Sequence, residues 1–382
     1  MKNEGIKKAP VEQWLENSLS VQVRKVVDRW ALTNGVKHIA LMPDVHIAGL
    51  ACVGCVIASE NFVFPKAIGS DLGCGMSAIR FKEKASIIES KGAANLLMKK
   101  LYQTISPLRY SRQSAKSHFS NQLKGGLSSP ELEKLLLEDG LLEFGTLGSG
   151  NHFLEFQSDE DNWLWLLIHS GSRFMGQAIA SHHSKETLKS QTGLSFLIAD
   201  SKPGQAFLQD LNWAVSYAAQ SRQTIVSKVV SIMVEIFGVA SDETSMIDCP
   251  HNFVRREKHF GEMLWIHRKG AISANIEELG IVPGSMGTSS FHVRGRGCEK
   301  ALYSSAHGAG RLLSRTEAHR KITELQLRES MQGIWFDNRK IDAFLDEAPS
   351  AYKDISKVMR AQRELVKIER KLKPVLNYKG TL

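Results

Sequence analysis

Only five cysteines occur in the 382-residue sequence, at positions 52, 55, 74, 249 and 298. Their odd number and wide spacing argue against a disulfide scaffold and fit a reducing compartment. Proline is sparse, with ten residues in all, and no Pro- or Ser-rich linker, low-complexity tract or internal repeat divides the chain. Long apolar runs are missing. The strongest stretches, Trp163 to Ile168 and Val229 to Ala240, are too short to span a bilayer, and Glu235 interrupts the second. Lys2, Lys7 and Lys8 are not followed by an apolar segment with a small-residue cleavage site, so the expected compartment is the cytoplasm, without a membrane. Acidic residues are also in short supply: 49 Lys and Arg face 40 Asp and Glu, a net charge of +9. That excess suits a partner carrying phosphates, although charge alone identifies none.

Glycine and histidine fill the informative positions. Short apolar runs punctuated by glycine predict strands over His38 to Met42, Val53 to Ala58, Met76 to Phe81, Trp163 to Ile168, Met263 to His267 and Ser290 to Val293. Helical spacing of apolar residues predicts helices around Ser86 to Tyr102, Pro130 to Leu136, Gln205 to Phe237, Arg315 to Met331 and Tyr352 to Leu372. Strands and helices mix without regular alternation. The expected fold is therefore α/β, a single interleaved domain over residues 1–382 with mixed β-sheets surrounded by helices, and not a doubly wound sheet. Cys52 and Cys55 form a CxxC, but its surroundings, Leu50-Ala51-Cys52-Val53-Gly54-Cys55-Val56-Ile57, read as a buried strand.

Five junctions carry the chemistry. Asp71 and Cys74 stand three apart in Gly69-Ser70-Asp71-Leu72-Gly73-Cys74-Gly75. That spacing can aim a carboxylate and a thiolate at one point, and a thiolate can bridge two cations; an ordinary turn around a buried thiol has the same spelling. His152 follows Gly148-Ser149-Gly150-Asn151, a loop whose amides can cradle phosphate oxygens, with Asn151 as a donor. Phe153 offers a flat apolar surface for a base, and Glu155 can accept hydrogen bonds from a guanine edge. His169 ends an apolar strand and opens His169-Ser170-Gly171-Ser172-Arg173, where Arg173 can clamp a phosphate. His251 precedes Asn252. His307 opens His307-Gly308-Ala309-Gly310-Arg311, and an imidazole there can act as a phosphoryl nucleophile, with Arg311 neutralising charge. A further metal ligand or a helix cap are the other readings of His307.

The remaining polar features read more plainly. His182-His183 and His118 are expected at the surface. His267-Arg268-Lys269-Gly270 is expected as a basic turn able to touch nucleic acid, or as ordinary surface. Arg360, Arg363, Lys367 and Arg370 are expected on one face of a helix, either along an RNA backbone or simply solvated.

With these residues in hand, the chain resembles the RtcB family of GTP-dependent RNA ligases, from Met42-Pro43-Asp44-Val45-His46 to Asn377-Tyr378-Lys379-Gly380. Gly145-Thr146-Leu147-Gly148-Ser149-Gly150-Asn151-His152-Phe153-Leu154-Glu155, Pro283-Gly284-Ser285-Met286-Gly287-Thr288 and the His307 motif are specific to that family. The resemblance implies that Asp71, Cys74, His152, His169 and His251 hold two manganese ions, with Cys74 bridging. Ligand softness alone would favour zinc. It implies that His307 takes GMP from GTP, and that Asn151, His152, Phe153, Leu154, Glu155, His251, Asn252, Pro283, Gly284, Ser285, Met286, Ser290, His307, Gly308, Ala309, Gly310 and Lys379 bind the guanylate. The implied reaction joins an RNA 3′-phosphate or 2′,3′-cyclic phosphate to a 5′-hydroxyl, on broken tRNA or rRNA, in some members with an archease-type activator.

This chain departs from the usual family pattern at Ile47-Ala48-Gly49-Leu50-Ala51-Cys52 and at Phe174-Met175-Gly176, and it is short. Both traits resemble compact paralogues of the repair type. Two other readings use fewer of these residues. A metal-dependent phosphodiesterase or cyclic-phosphate hydrolase would need the ligands but neither Lys379 nor a nucleophilic His307, and a non-catalytic RNA-end-binding protein would tolerate loss of Asp71 or Cys74.

Overall fold

A period of two in burial decides how the strands stack. In the computed structural model, which describes residues 8–116, 123 and 125–380, Met76 and Ala78 of strand Gly75–Lys84 enter one core while Ile79 and Phe81 enter another. Strand Trp163–Ser170 divides the same way, with Trp165 and Leu167 on one side and Leu164, Leu166 and Ile168 on the other. In a second sheet, strand Val36–His46 turns Ala40 and Met42 toward the first of these cores and Ile39 and Leu41 away from it. Two sheets thus face each other across a shared apolar layer, the packing that alternating strands require when both faces are buried.

The larger sheet runs Ser241–Pro250, Gly75–Lys84, Trp163–Ser170, Phe153–Ser158, Val366–Tyr378, Ser290–Gly295 and Leu279–Val282. The smaller one runs Val11–Gln13, Val36–His46, Val53–Ser59, Glu262–Lys269 and Asn252–His259. The ladder between Val11–Gln13 and Val36–His46 is parallel; the ladders joining the other neighbours in these sheets are antiparallel.

Helices cover the outer faces. Helix Val21–Ala31, capped by Ser20, lays Val23, Val27 and Trp30 on the smaller sheet. Helices Lys91–Thr104 and Lys202–Phe237 cover the larger one through Leu97, Leu101, Ile225, Val229 and Ile232. Each such side chain, fully withdrawn from water, contributes about 1.5–3 kcal/mol. The architecture is the expected mixture of β-sheets wrapped by helices. Cys52 and Cys55 lie in the core beneath helix Val21–Ala31, and burial pushes both thiols up, that of Cys52 to about 11. They pack as small apolar residues.

Four local expectations need correction. Tyr352 to Leu372 is not one helix: a helix occupies Ile355–Ala361, and Val366–Tyr378 is a strand between Phe153–Ser158 and Ser290–Gly295. Arg360 and Lys367 therefore share no helix face. His267-Arg268-Lys269 is not a turn but the end of strand Glu262–Lys269, with His267 and Arg268 fully buried. The Arg268 guanidinium donates to both Glu257 oxygens, at 2.6 and 2.9 Å, and to Ser304 Oγ at 2.9 Å, so it faces no nucleic acid. His183 is buried rather than on the surface and lies 2.6 Å from Asp210 Oδ2. His118 lies outside the described residues.

Candidate active site

Ladder register brings the predicted ligands to one end of the larger sheet. His169 pairs with both Met76 and Phe153, and Gly75 pairs with Ser170 on one side and Pro250 on the other. Cys74, His152, His169 and His251 each sit one residue from, or within, those pairs. The result is a tight cluster. Cys74 Sγ stands 3.2 Å from His169 Nε2 and 3.4 Å from His152 Nε2, and His152 Nε2 is 3.1 Å from Asp71 Oδ2.

Cation-sized groups form around that thiol. Cys74, His169 and His251 place one ligand atom each within 4.8 Å of one another, and so do Asp71, Cys74 and His152. Cys74 belongs to both. The donor set fits two cations sharing a thiolate, and its protonation chemistry agrees. His169 Nδ1–H donates to the Asn151 carbonyl at 2.9 Å, which leaves Nε2 bare toward the thiol. His251 is buried with no partner for Nδ1, a state that costs free energy unless something else coordinates the ring. Burial, and then the neighbouring imidazoles, hold His169 and His251 well below the usual histidine range, so both rings are neutral. Burial raises Asp71, yet His152 outweighs it and brings the carboxyl down to about 2. Burial and Asp71 push the Cys74 thiol well up; a bound cation would remove that proton.

Small residues make room for these side chains. A Cβ on Gly148, whose φ is +99°, would stand 2.2 Å from His152 Nδ1, and one on Gly171 would stand 2.1 Å from Asp71 Oδ1. Arg173, expected to clamp phosphate, lies behind His152, with a guanidinium nitrogen 3.3 Å from Nδ1. Asn252 braces the ligand turn, donating to the Asp71 carbonyl at 3.0 Å and accepting from the Gly270 amide at 2.9 Å.

Beside the cluster, His307 follows strand Ser304–Ala306 and caps no helix. Its Nδ1–H donates to Asp44 Oδ2 at 2.7 Å and its backbone N–H to the same oxygen at 3.2 Å. Asp44 is fully buried. In the neutral ring that tautomer leaves the lone pair on Nε2, and the His307 and His251 ring centroids are 4.7 Å apart.

His307 lines a cavity of about 1120 Å³, room enough for a nucleotide. Asn151, Phe153, Glu155, Pro283, Gly284, Ser285, Met286, Ser290, Gly308, Ala309, Gly310, Arg311 and Lys379 line it too. Leu154 does not; its side chain is in the core on the opposite face of the sheet. Arg311 touches the cavity, but it gives its guanidinium donors to the Leu313 and Asp346 carbonyls, Glu347 and Tyr352. Burial raises Glu155 to about 8, against the hydrogen bond from Gln157.

Three participants were not singled out by sequence. Asp44 was visible only as part of its motif. Glu347 is buried and accepts from Lys379 at 2.9 Å, from Tyr352 at 2.7 Å and from Arg311 at 3.1 Å. Arg222, on helix Lys202–Phe237, is fully buried behind the ligand turn. A lone arginine on an apolar helix face was its only signal.

Comparison with known proteins gives the same placement. A family model described as "tRNA-splicing ligase RtcB" matches residues 25–380. The chain is 34% identical to the RNA-splicing ligase RtcB of Escherichia coli strain K12, over 97% of this chain and 98% of that one. It is 28% identical to the tRNA-splicing ligase RtcB of Nanoarchaeum equitans, over 97% and 93% of the two chains. It is also 28% identical to the RNA-splicing ligase RtcB2 of Escherichia coli strain ATCC 25922, over 96% and 93%. Resemblance in the motifs, the sheet arrangement and near full-length similarity agree, and the chain belongs to the RtcB family.

Proposed function

We propose that this chain is an RNA ligase, that residues 1–382 act as one catalytic unit, and that it uses GTP to join RNA 3′-phosphate or 2′,3′-cyclic phosphate ends to 5′-hydroxyl ends. One observation carries the reading. The His307 imidazole is fixed by Asp44 through Nδ1, on the wall of a nucleotide-sized cavity and next to the ligand cluster centred on Cys74. A metal-dependent hydrolase needs the ligand cluster but no nucleophilic imidazole; in it an Asp-held ring serves only as a general acid or base, and a guanylyl-histidine separates the two readings.

In the proposed sequence, His307 Nε2 attacks the α-phosphorus of GTP; the N–P bond forms as the P–O bond to pyrophosphate breaks. The Asp44 carboxylate holds the Nδ1 proton and stabilises the charge that develops on the ring. A 2′,3′-cyclic phosphate end first adds water, which breaks its P–O2′ bond and leaves a 3′-phosphate and a free 2′-hydroxyl. The RNA 3′-phosphate then takes the guanylate as the N–P bond to His307 breaks, and the 5′-hydroxyl attacks that activated phosphate and releases GMP. Phe153 offers the base a flat face, Glu155 and Lys379 its polar edge, and the Pro283 to Met286 and His307 to Gly310 loops its backbone amides. Asp71, Cys74, His152, His169 and His251 would hold two divalent cations, manganese by family resemblance, which supply Lewis acidity and a template for phosphate oxygens. The proposed substrates are broken tRNA or rRNA, as in RNA repair or splicing.

The test is a sealing assay with RNA bearing a 5′-hydroxyl and either a 3′-phosphate or a 2′,3′-cyclic phosphate, in GTP and Mn²⁺. A joined product that requires GTP supports the ligase. Opening of a cyclic phosphate without joining would favour the hydrolase instead.

A further inference from the structure

Arg222 links three of the ligand-bearing segments. It is buried in the middle of helix Lys202–Phe237 and spends its guanidinium on two of their backbone carbonyls, one carboxylate and the Ser77 hydroxyl. One terminal nitrogen donates to the Gly73 carbonyl at 3.1 Å and to the Ser170 carbonyl at 3.0 Å. Gly73 precedes Cys74, and Ser170 follows His169. The other terminal nitrogen donates to Asp248 Oδ2 at 2.8 Å, and Nε donates to Asp248 Oδ1 at 2.8 Å and to Ser77 Oγ at 3.1 Å. Asp248 lies on the strand that ends at Pro250, just before His251.

We infer that Arg222 is a positioning residue for the Cys74–His169–His251 cation site: its planar fork sets the spacing of the three ligands. The inference rests on the metal-centre reading above. The geometry leaves little slack. A Cβ on Gly75 would stand 3.1 Å from the Arg222 guanidinium carbon and 2.7 Å from the Cys249 carbonyl, so the turn and the guanidinium are packed against each other. The Gly73 amide donates to the Asn252 carbonyl at 2.8 Å, and the His251 amide to the Cys74 carbonyl at 2.8 Å. These bonds lock the Cys74 turn to the His251 segment, but neither reaches His169. The ladder that pairs Gly75 with Ser170 and Met76 with His169 fixes the strand register; the Gly73–Arg222–Ser170 bridge adds the side-chain link that ties the turn carrying Cys74, which precedes that ladder, to the end of the His169 strand. A lysine would keep the charge without the fork, because an ammonium cannot hold two carbonyls and a bidentate carboxylate in one plane.

The test uses the full chain, stripped of metal and titrated with Co²⁺, whose thiolate charge-transfer absorption reports Cys74 ligation independently of any activity. Arg222→Lys tests the fork. Asp248→Asn tests it again without placing an ammonium in the core, and circular dichroism checks that each variant is folded. Wild type is expected to bind Co²⁺ with a thiolate band. The variants are expected to lose about 10–100-fold in affinity and to show a weakened or shifted band. Folded Arg222→Lys or Asp248→Asn protein with wild-type affinity and an unchanged band overturns the positioning role. Absence of Co²⁺ binding by the wild type overturns the metal-centre reading itself, a result distinct from the first.

Discussion

Asp44 Oδ2 accepts hydrogen bonds from both Nδ1 and the backbone nitrogen of His307, 263 positions away, at 2.7 and 3.2 Å. Two donors from one residue onto one oxygen fix the imidazole plane as well as its tautomer. Gly310 protects that contact. Its φ is +74°, and a Cβ there would lie 2.3 Å from the Asp44 carbonyl oxygen. Asp44→Asn retains the shape but can offer the ring a donor in place of an acceptor, which favours the wrong tautomer. Guanylylation is expected to slow by about 10²–10⁴-fold with GTP affinity little changed, read by single-turnover labelling beside equilibrium GTP binding. An equal loss in both measurements would show that Asp44 serves the pocket rather than the nucleophile.

Gly171→Ala should separate the two cation groups. The added methyl carbon would stand 2.1 Å from Asp71 Oδ1, so the carboxylate must swing away, while Cys74, His169 and His251 keep their positions. The expected outcome is one Co²⁺ per chain instead of two, measured by elemental analysis after gel filtration. Two tightly held ions in the variant would contradict the assignment of Asp71.

Glu155 links nucleotide pocket and pH. Burial raises its folded-state pKa from the ordinary 4.5 to about 8. The folded protein therefore holds a proton that the unfolded chain has released. Its contribution to stability is full below pH 4.5 and falls away as pH rises through about 8. Nucleotide-free Glu155→Gln protein should show a flatter loss of stability than wild type between pH 5 and 8. Denaturant midpoints measured across that range decide it, and parallel curves for the two proteins would refute the buried acid.

At the opposite end of the pH scale, Glu257 is held at about 2: burial opposes ionisation, but His259 and Arg268 outweigh it. A depressed carboxyl stabilises above its ordinary value of 4.5 and loses that contribution as pH falls toward 2. Arg268 also donates to the Leu302 carbonyl at 2.9 Å, just upstream of the strand leading to His307. Glu257→Gln leaves the buried guanidinium without its counter-charge and should cost about 3–5 kcal/mol, seen as a lower denaturant midpoint at pH 7. The variant should also lose less of its remaining stability than wild type between pH 4.5 and 3. A neutral substitution would mean that Arg268 is satisfied by Ser304 and the carbonyls alone.

The parts of this protein that could be read from sequence were those encoded locally. Strands such as Gly75–Lys84 and Trp163–Ser170 betray themselves by apolar runs bounded by glycine, and the ligand histidines by the loops around them. Strand Val366–Tyr378 hid because Arg363, Lys367 and Arg370 fall at helical spacing; its β state comes from two flanking strands distant in the chain, and Pro374, which argues against a paired strand, falls at a ladder irregularity. Arg268, His183 and Arg222 looked exposed or unremarkable because charge implies solvent until its partner is known. Those partners, Glu257, Asp210 and Asp248, become neighbours only in the folded chain. The pairing of Asp44 with His307 belongs to the same class.

The most direct measurement incubates the purified chain with α-labelled GTP and Mn²⁺ and follows label on the protein through acid and alkali. The account predicts a label that is lost in acid, survives alkali as a phosphoramidate does, and is absent from His307→Ala protein that still binds GTP and metal. Metallated wild-type protein that takes no label, or a His307→Ala variant that takes it normally, would contradict the account.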